Sequence, residues 1–319
     1  MKVLLLIAAW LLPTISSAQL GPSVFKSIEQ AGFDLLVDNH LEGSGVIVHP
    51  AGFALIAGHA AQPKSKILEA RSPRLGRLVL KRVAMDLGHD LALVQLPPRS
   101  QAYPFRPVAR DPLAPGETVY LYASPLYRHG VLIRGAVGST KPTYEYLPDV
   151  GYYVRIVHVA ASSPPGTSGG PWLNGKGEVV GLQSGLMHES GAPVGLAYMS
   201  PRLALRRIVQ TKKNAQTMSI RAGLEEFWEQ SREFRSAYRS DQEGIVLVKL
   251  DPAGAAAKSG LKDGDVVTHV GKTPVAYRNE LLSRIRRIRP GRGLTVVVTR
   301  QRSGSRVLNI KPVVLEKND

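Results

Sequence analysis

From about Ser23 to Ser200 the chain is a succession of short apolar runs cut by Gly and Pro: Val46 to Val48, Ala54 to Ala57, Leu91 to Leu96, Val119 to Tyr122, Tyr152 to Val159 and Val179 to Leu182. Runs this short, bounded by turn residues, are strands of an all-β barrel or sandwich rather than helices. No fixed-period repeat appears, which excludes solenoids and propellers. The chain has no cysteine. Whatever holds it together is therefore packing and hydrogen bonding, and disulfides, cysteine–metal sites and a cysteine nucleophile are all excluded.

The pattern changes after Pro201. Pro201 to Gln210 reads as a helix with Leu203, Leu205 and Ile208 as candidate buried positions, and Lys212 to Met218 reads as a polar linker across which few contacts should pass. Leu224 to Tyr238, with aromatic residues among charges, reads as helical. From Glu243 onward strands alternate with short helices: Ile245 to Leu250, Ala255 to Lys258, Asp265 to Val270, Arg278 to Arg289, Leu294 to Thr299 and Arg306 to Ile310. That alternation predicts a second, mixed α/β domain.

Chemistry concentrates at Gly166-Thr167-Ser168-Gly169-Gly170-Pro171. A serine hydroxyl is a weak nucleophile until a base takes its proton, and the flanking glycines allow the backbone N–H groups to approach a substrate carbonyl. An ordinary glycine-rich turn would have the same composition, so the other members decide. His59 ends the run Leu55-Ile56-Ala57-Gly58, and Asp90 immediately precedes the apolar strand from Leu91. His49 and Asp86 are the competitors; His49 runs straight into a turn and Asp86 leads into no strand. The order His, Asp, Ser in these contexts is that of one known Ser-His-Asp arrangement.

Gly43 to Val48, then Gly52 to His59, the Asp90-Leu91-Ala92-Leu93 block, and Gly166 to Pro171 with Gly177 to Leu182 together resemble the HtrA (Deg) family of trypsin-like serine proteases. The resemblance implies an all-β double β-barrel, chymotrypsin-like, with two perpendicular barrels and the site between them. It also implies His59 as base, Asp90 as the residue that orients it, Ser168 as nucleophile, and an oxyanion hole from the N–H groups of Gly166 and Ser168. Ser184 falls where such enzymes place a hydroxyl near the aspartate. Two departures stand out: Thr167 before the serine, and Gly58 before the histidine. Small or medium aliphatic side chains preceding the cut are the family habit, with Ser162 to Pro165 and Gln183 to Leu186 as walls of the pocket.

Gly244 to Leu250, Asp251-Pro252-Ala253-Gly254, Ala255 to Ser259 and Gly260-Leu261-Lys262-Asp263-Gly264-Asp265 resemble a PDZ domain. Its implied partner is a peptide ligand, but the one candidate carboxylate-holding loop, Arg221 to Leu224, leads into a stretch that does not read as a sheet edge, so peptide capture stays open. The domains expected are a signal peptide at 1–18, a protease domain at 19–210, a linker at 211–221 and the PDZ-like domain at 222–315. Lys2, the apolar run Val3 to Leu12 and the small residues Ser16 to Ala18 carry the signal-peptide reading, with an uncleaved anchor as the alternative; export places the chain in the periplasm or outside the cell. Lys and Arg exceed Asp and Glu by 41 to 25, a formal charge of +16, gathered at Arg202 to Lys213 and Arg284 to Arg306. Such an excess favours anionic partners, though no nucleic-acid motif accompanies it and specific nucleic-acid binding is not expected. The leading function is a serine endopeptidase acting on unfolded or misfolded polypeptides, with no cofactor or metal and, from the resemblance, a homo-oligomer, trimeric in relatives. The alternatives are a non-catalytic peptide-binding or chaperone-like protein on the same fold and a polyanion-binding module.

Overall fold

A computed structural model describes residues 20–62, 66–148, 150–301 and 304–315; the expected signal segment lies outside the described residues. Pro22, whose ring suits the first turn of a helix, opens α1 (Pro22–Ala31), which buries Ile28 and Ala31. This helix was not expected from the strand-like pattern of the region. Seven strands follow: β1 (Gly32–Val37), β2 (His40–Ile47), β3 (Phe53–Ala57), β4 (Leu68–Ser72), β5 (Gly76–Val79), β6 (Lys81–Asp86) and β7 (Leu91–Gln95), with a single-turn helix α2 (Gly58–Ala61) between β3 and β4. They form one antiparallel sheet in the order β5-β4-β1-β2-β3-β7-β6. The second set is β8 (Thr118–Ala123), β9 (Val131–Leu147), β10 (Tyr152–Ala160), β11 (Pro171–Leu173), β12 (Val179–Glu189) and β13 (Ala192–Pro201), and it closes into a barrel. Of the two barrels expected, the second is closed, whereas the first is a seven-stranded sheet whose end strands β5 and β6 do not pair with each other.

Helix α3 (Arg202–Thr211) follows directly, burying Ala204, Leu205 and Ile208. Leu203, expected inside, is 68% exposed. Successive helical residues turn about 100°, so a face centred on 204, 205 and 208 leaves 203 on the other side. Segment 212–218 also differs from the expected open linker. The Ala215 N–H donates to the Met85 carbonyl (2.9 Å), the Met85 N–H donates to Asn214 Oδ1 (2.9 Å) and the Gly88 N–H donates to Thr217 Oγ1 (3.0 Å). Met218 is buried, and β14 (Met218–Ser219) pairs with β21 (Val313–Val314) at the other end of the second domain. A polar segment can thus be a fastened one, because its side chains bond backbone groups of the neighbouring domain.

The second domain is a mixed α/β unit. Its main sheet runs β15 (Gly223–Glu226), β16 (Ile245–Val248), β17 (Val266–Val270), β19 (Leu294–Arg300) and β20 (Gly304–Ile310), with β18 (Thr273–Pro274) beside β17. Helices α4 (Arg232–Ser236), α5 (Ala255–Lys258) and α6 (Arg278–Arg287) complete it. Leu224 to Tyr238 is therefore not one helix: it is an edge strand, a single 3-10 turn at Phe227–Glu229 and the short α4. The aromatic residues there stack on one another, Phe227 and Phe234 each within 5.4 Å of the Tyr238 ring, instead of forming one helical face. Helix α6 buries Leu281, Leu282 and Ile285, as its apolar spacing predicts.

Candidate active site

The ladder between β3 and β7 sets the geometry. Ala57 lies opposite Leu91, so the chain leaving β3 and the chain entering β7 run side by side one residue further on. There the Gly58 N–H donates to the Asp90 carbonyl (3.0 Å). Asp90 takes the left-handed conformation, φ 51° and ψ 51°, which Asp tolerates better than bulkier residues. It is fully buried. Its carboxylate accepts the His59 backbone N–H on Oδ1 (2.7 Å), and its Oδ2 lies 2.9 Å from His59 Nδ1. Ser184 Oγ donates to Oδ2 as well (2.6 Å). Asp86, the competing carboxylate, instead meets His89 Nδ1 at 2.9 Å from each oxygen.

Gly58 makes this approach feasible. A Cβ there would stand 2.8 Å from the Leu91 nitrogen and 2.9 Å from the Asp90 carbonyl carbon, closer than unbonded atoms allow. The departure from a larger residue before the histidine is thus matched by a backbone that fills the space.

Ser168 sits on the loop between β10 and β11, held by β2. The Ser44 N–H donates to the Ser168 carbonyl (2.8 Å). Gly169, at φ +79°, is so close that a Cβ would reach 2.3 Å from the Ser44 carbonyl oxygen and 2.8 Å from the Ala57 nitrogen. The serine loop is therefore pressed against the end of the strand that delivers His59. The loop's other bonds are orderly: the N–H groups of Thr167, Gly169 and Gly170 donate to Pro164, Gln183 and Thr167 carbonyls. Among the described residues, those of Gly166 and Ser168 have no acceptor. The carbonyls beside Gly166 are tied elsewhere, Pro165 accepting from the Leu126 N–H (2.8 Å) and Gly166 from Ser44 Oγ (3.1 Å).

Two contributors escaped the sequence reading. Ser44 is one, and its signal was present in the Gly43-Ser44-Gly45 block. The other is Tyr152, whose hydroxyl accepts from Gln62 Nε2 (2.5 Å). Burial, and then the negative charge of Asp90, push the Tyr152 phenol pKa up, so it stays protonated beside the site; nothing in its local sequence marks it. Within the stretches expected to wall the pocket, buried Gln183 donates from Nε2 to Ser163 Oγ (2.9 Å) and accepts the Trp172 indole N–H on Oε1 (2.9 Å).

In the second domain the Arg221 to Leu224 loop leads into the edge strand β15, which is what a carboxylate-holding loop would need. Part of that edge is already occupied. The Leu224 N–H donates to the Tyr153 hydroxyl (2.8 Å), which in turn donates to the Leu224 carbonyl (3.1 Å). Tyr153 comes from β10 of the first unit. A cleft of about 520 Å³ runs beside it, lined by Tyr146, Tyr153, Arg221, Gly223, Leu224 and Lys249 among others.

Profiles of a trypsin-like peptidase domain and of a PDZ domain match residues 43–182 and 213–311. The chain belongs to the HtrA/DegP-like family of trypsin-like serine proteases with a PDZ domain. It is 28% identical over 267 residues to a probable periplasmic serine endoprotease, DegP-like, of Ectopseudomonas mendocina (strain ymp), covering 82% of this chain and 54% of the relative. A protein of the same description from Halomonas elongata is 30% identical over 264 residues, covering 81% and 53%. The chain thus spans about half the length of these relatives. The solved HtrA-type protease AlgW with decapeptide shares the fold, with a TM-score of 0.67 at 19% identity, covering 95% of this chain and 99% of that one. A serine endoprotease of Yersinia pestis superposes with a TM-score of 0.61 at 20% identity over 92% and 97%.

Proposed function

We propose that this chain is an exported serine endopeptidase that cleaves unfolded polypeptides through an acyl-enzyme. The observation that carries the reading is the contact of His59 Nδ1 with the buried Asp90 carboxylate (2.9 Å). That contact fixes the proton on Nδ1 and leaves Nε2 as the basic nitrogen. Ser168 Oγ attacks the peptide carbonyl as His59 Nε2 takes its proton. The tetrahedral intermediate collapses, the C–N bond breaks and the imidazolium protonates the leaving amine. Water, deprotonated by the same nitrogen, then attacks the Ser168 ester and releases the acid. Asp90 stabilises the imidazolium throughout. The unpaired N–H groups of Gly166 and Ser168 are the donors for the oxyanion, a role worth about 3–4 kcal/mol per donor in such enzymes. Two ties on the flanking carbonyls keep this hole open with no activating peptide bound.

The walls named for the specificity pocket, Ser162 to Pro165 and Gln183 to Leu186, carry no charge. An uncharged side chain preceding the cut suits them, since a buried unpaired ammonium would be costly. A C-terminal peptide reaches the second domain by displacing the Tyr153 hydroxyl from Leu224. Periplasmic residence follows the relatives' description together with the apolar start of the sequence.

Casein degradation by the full chain tests the reading. Ser168→Ala and His59→Ala should each abolish it while thermal melting stays within a few degrees of wild type. Wild-type turnover by purified Ser168→Ala would refute the assignment.

A further inference from the structure

We propose that the cavity between the two domains binds a small phosphate-type oxyanion, inorganic phosphate or a phosphomonoester, which joins them. The two basic clusters of the sequence, at Arg202 to Lys213 and Arg284 to Arg306, remain unused by the peptidase chemistry. The fold brings one part of each to the same place. Arg207 of α3 and Arg286 and Arg287 of α6 line a cavity of about 220 Å³ together with Arg155 of β10. Two of the four guanidinium groups come from the protease domain and two from the PDZ domain.

The charges there are only partly compensated, Arg286 feeling the negative charge of Asp86. Asp86 is the one carboxylate among the lining residues, and His89 Nδ1 engages both of its oxygens (2.9 Å each). The guanidinium groups of Arg155, Arg207 and Arg287 have no ion pair or hydrogen bond among the described residues. Arg286 is deeply buried, and its partners are neutral: Nη1 donates to the Met218 carbonyl (2.8 Å) and Nη2 to the Tyr153 carbonyl. Its Nε is buried with no acceptor. Burial lowers its pKa to about 10, so it is still a cation at neutral pH. A buried cation hydrogen-bonded only to neutral groups is costly; an anion in the adjoining space relieves that cost at Arg286 and pairs with the three guanidinium groups beside it.

Size and shape select the class of anion. Guanidinium forks match the paired oxygens of a phosphate. A space of about 220 Å³ holds such an ion with a few waters of about 30 Å³ each, and it falls below the roughly 300 Å³ at which pockets for drug-sized ligands begin. The Thr217 hydroxyl accepts from the Gly88 N–H (3.0 Å), leaving its own proton for an oxyanion oxygen.

The test is calorimetric titration of the full chain with inorganic phosphate, and separately with glycerol phosphate, at fixed ionic strength set by chloride. Thermal melting with the same anions runs alongside. Saturable binding and a concentration-dependent rise in Tm are expected. Arg207→Gln with Arg287→Gln, both at exposed positions that spare the fold, should weaken binding at least tenfold, while Arg235→Gln on distant α4 should leave it within twofold. Arg286→Gln is expected to unfold the docked arrangement and is therefore not the deciding variant. Tighter binding of glycerol phosphate would identify a phosphomonoester as the source, and equal affinity the free ion. Affinity unchanged in the double variant, equal losses in Arg235→Gln, or no saturation beyond that of chloride would overturn the proposal.

Discussion

Replacing Asp90 by Asn keeps the side-chain volume and tests the triad through hydrogen bonding alone. The carboxylate now accepts from three donors: the His59 N–H at 2.7 Å, Ser184 Oγ at 2.6 Å and His59 Nδ1 at 2.9 Å. An amide has one oxygen to offer. If that oxygen keeps the His59 N–H, the NH₂ group faces Nδ1 and donates to it, and the imidazole proton moves to Nε2. Ser168 then has no base. If the amide turns over, the imidazole keeps its tautomer, but the NH₂ meets the backbone N–H of His59 in a fully buried site. Such an unsatisfied pair costs about 1–3 kcal/mol, and a neutral amide no longer offsets the imidazolium charge. The combined loss expected is about ten-thousandfold in kcat, or about 5.4 kcal/mol at about 1.36 kcal/mol per decade. The assay is single-turnover cleavage of casein or a fluorogenic peptide, with a melting curve to establish that the variant is folded. A loss below tenfold, or a greater loss from Asp86→Asn, would refute the assignment of Asp90.

Gly58→Ala should lower kcat about a hundredfold with little change in KM, because the new methyl displaces Asp90 and a misplacement of order 1 Å has about that effect; wild-type kinetics would show that the backbone yields freely. Tyr153→Phe frees the Leu224 N–H and leaves its carbonyl only the long bond from Arg278 Nη1 (3.4 Å), so a peptide ending in a free carboxylate should bind about fivefold tighter by fluorescence anisotropy, a lost bond being worth about 1 kcal/mol; unchanged or weaker binding would count against Tyr153 as the occupant of that edge. A fragment ending at residue 212 loses the partners of the Met85 and Gly88 N–H groups and exposes Tyr144 and Tyr153, so it should melt roughly 10 °C below the full chain at about 2–4 °C per kcal/mol. An unaltered melting temperature would show that the domains are independent.

Much of the fold was legible because the strands announce themselves: Ala54 to Ala57 and Leu91 to Val94 are buried without interruption, and short runs of this kind have few alternative structures. His59 and Asp90 were picked out for a related reason, since each stands where an apolar strand meets a turn, and Ser168 for the glycines around it. What was not legible depends on contacts made at long range. Leu224 carries no sign that its partner is Tyr153, 71 residues away. The polarity of Asn214 and Thr217 is the same whether they face water or, as here, bond the backbone of Met85 and Gly88. Helix α1 was missed although Val24, Ile28 and Ala31 repeat at helical spacing and pack inward, because this short segment runs straight into β1 and reads as part of the strand pattern.

The hairpin of β9 and β10 relates the two domains in a way that neither alone would require. Side chains alternate faces along a strand, and here consecutive tyrosines look into different units. Tyr152 belongs to the core of the first sheet and holds Gln62, three residues beyond His59, while Tyr153 and Tyr144 belong to the core of the PDZ domain. Arg286 seals the junction by binding the Tyr153 carbonyl from α6. The Gln62 contact beside the site and the Leu224 contact at the sheet edge are thus carried by adjacent residues of one strand, so a displacement of that strand as a whole would reach both.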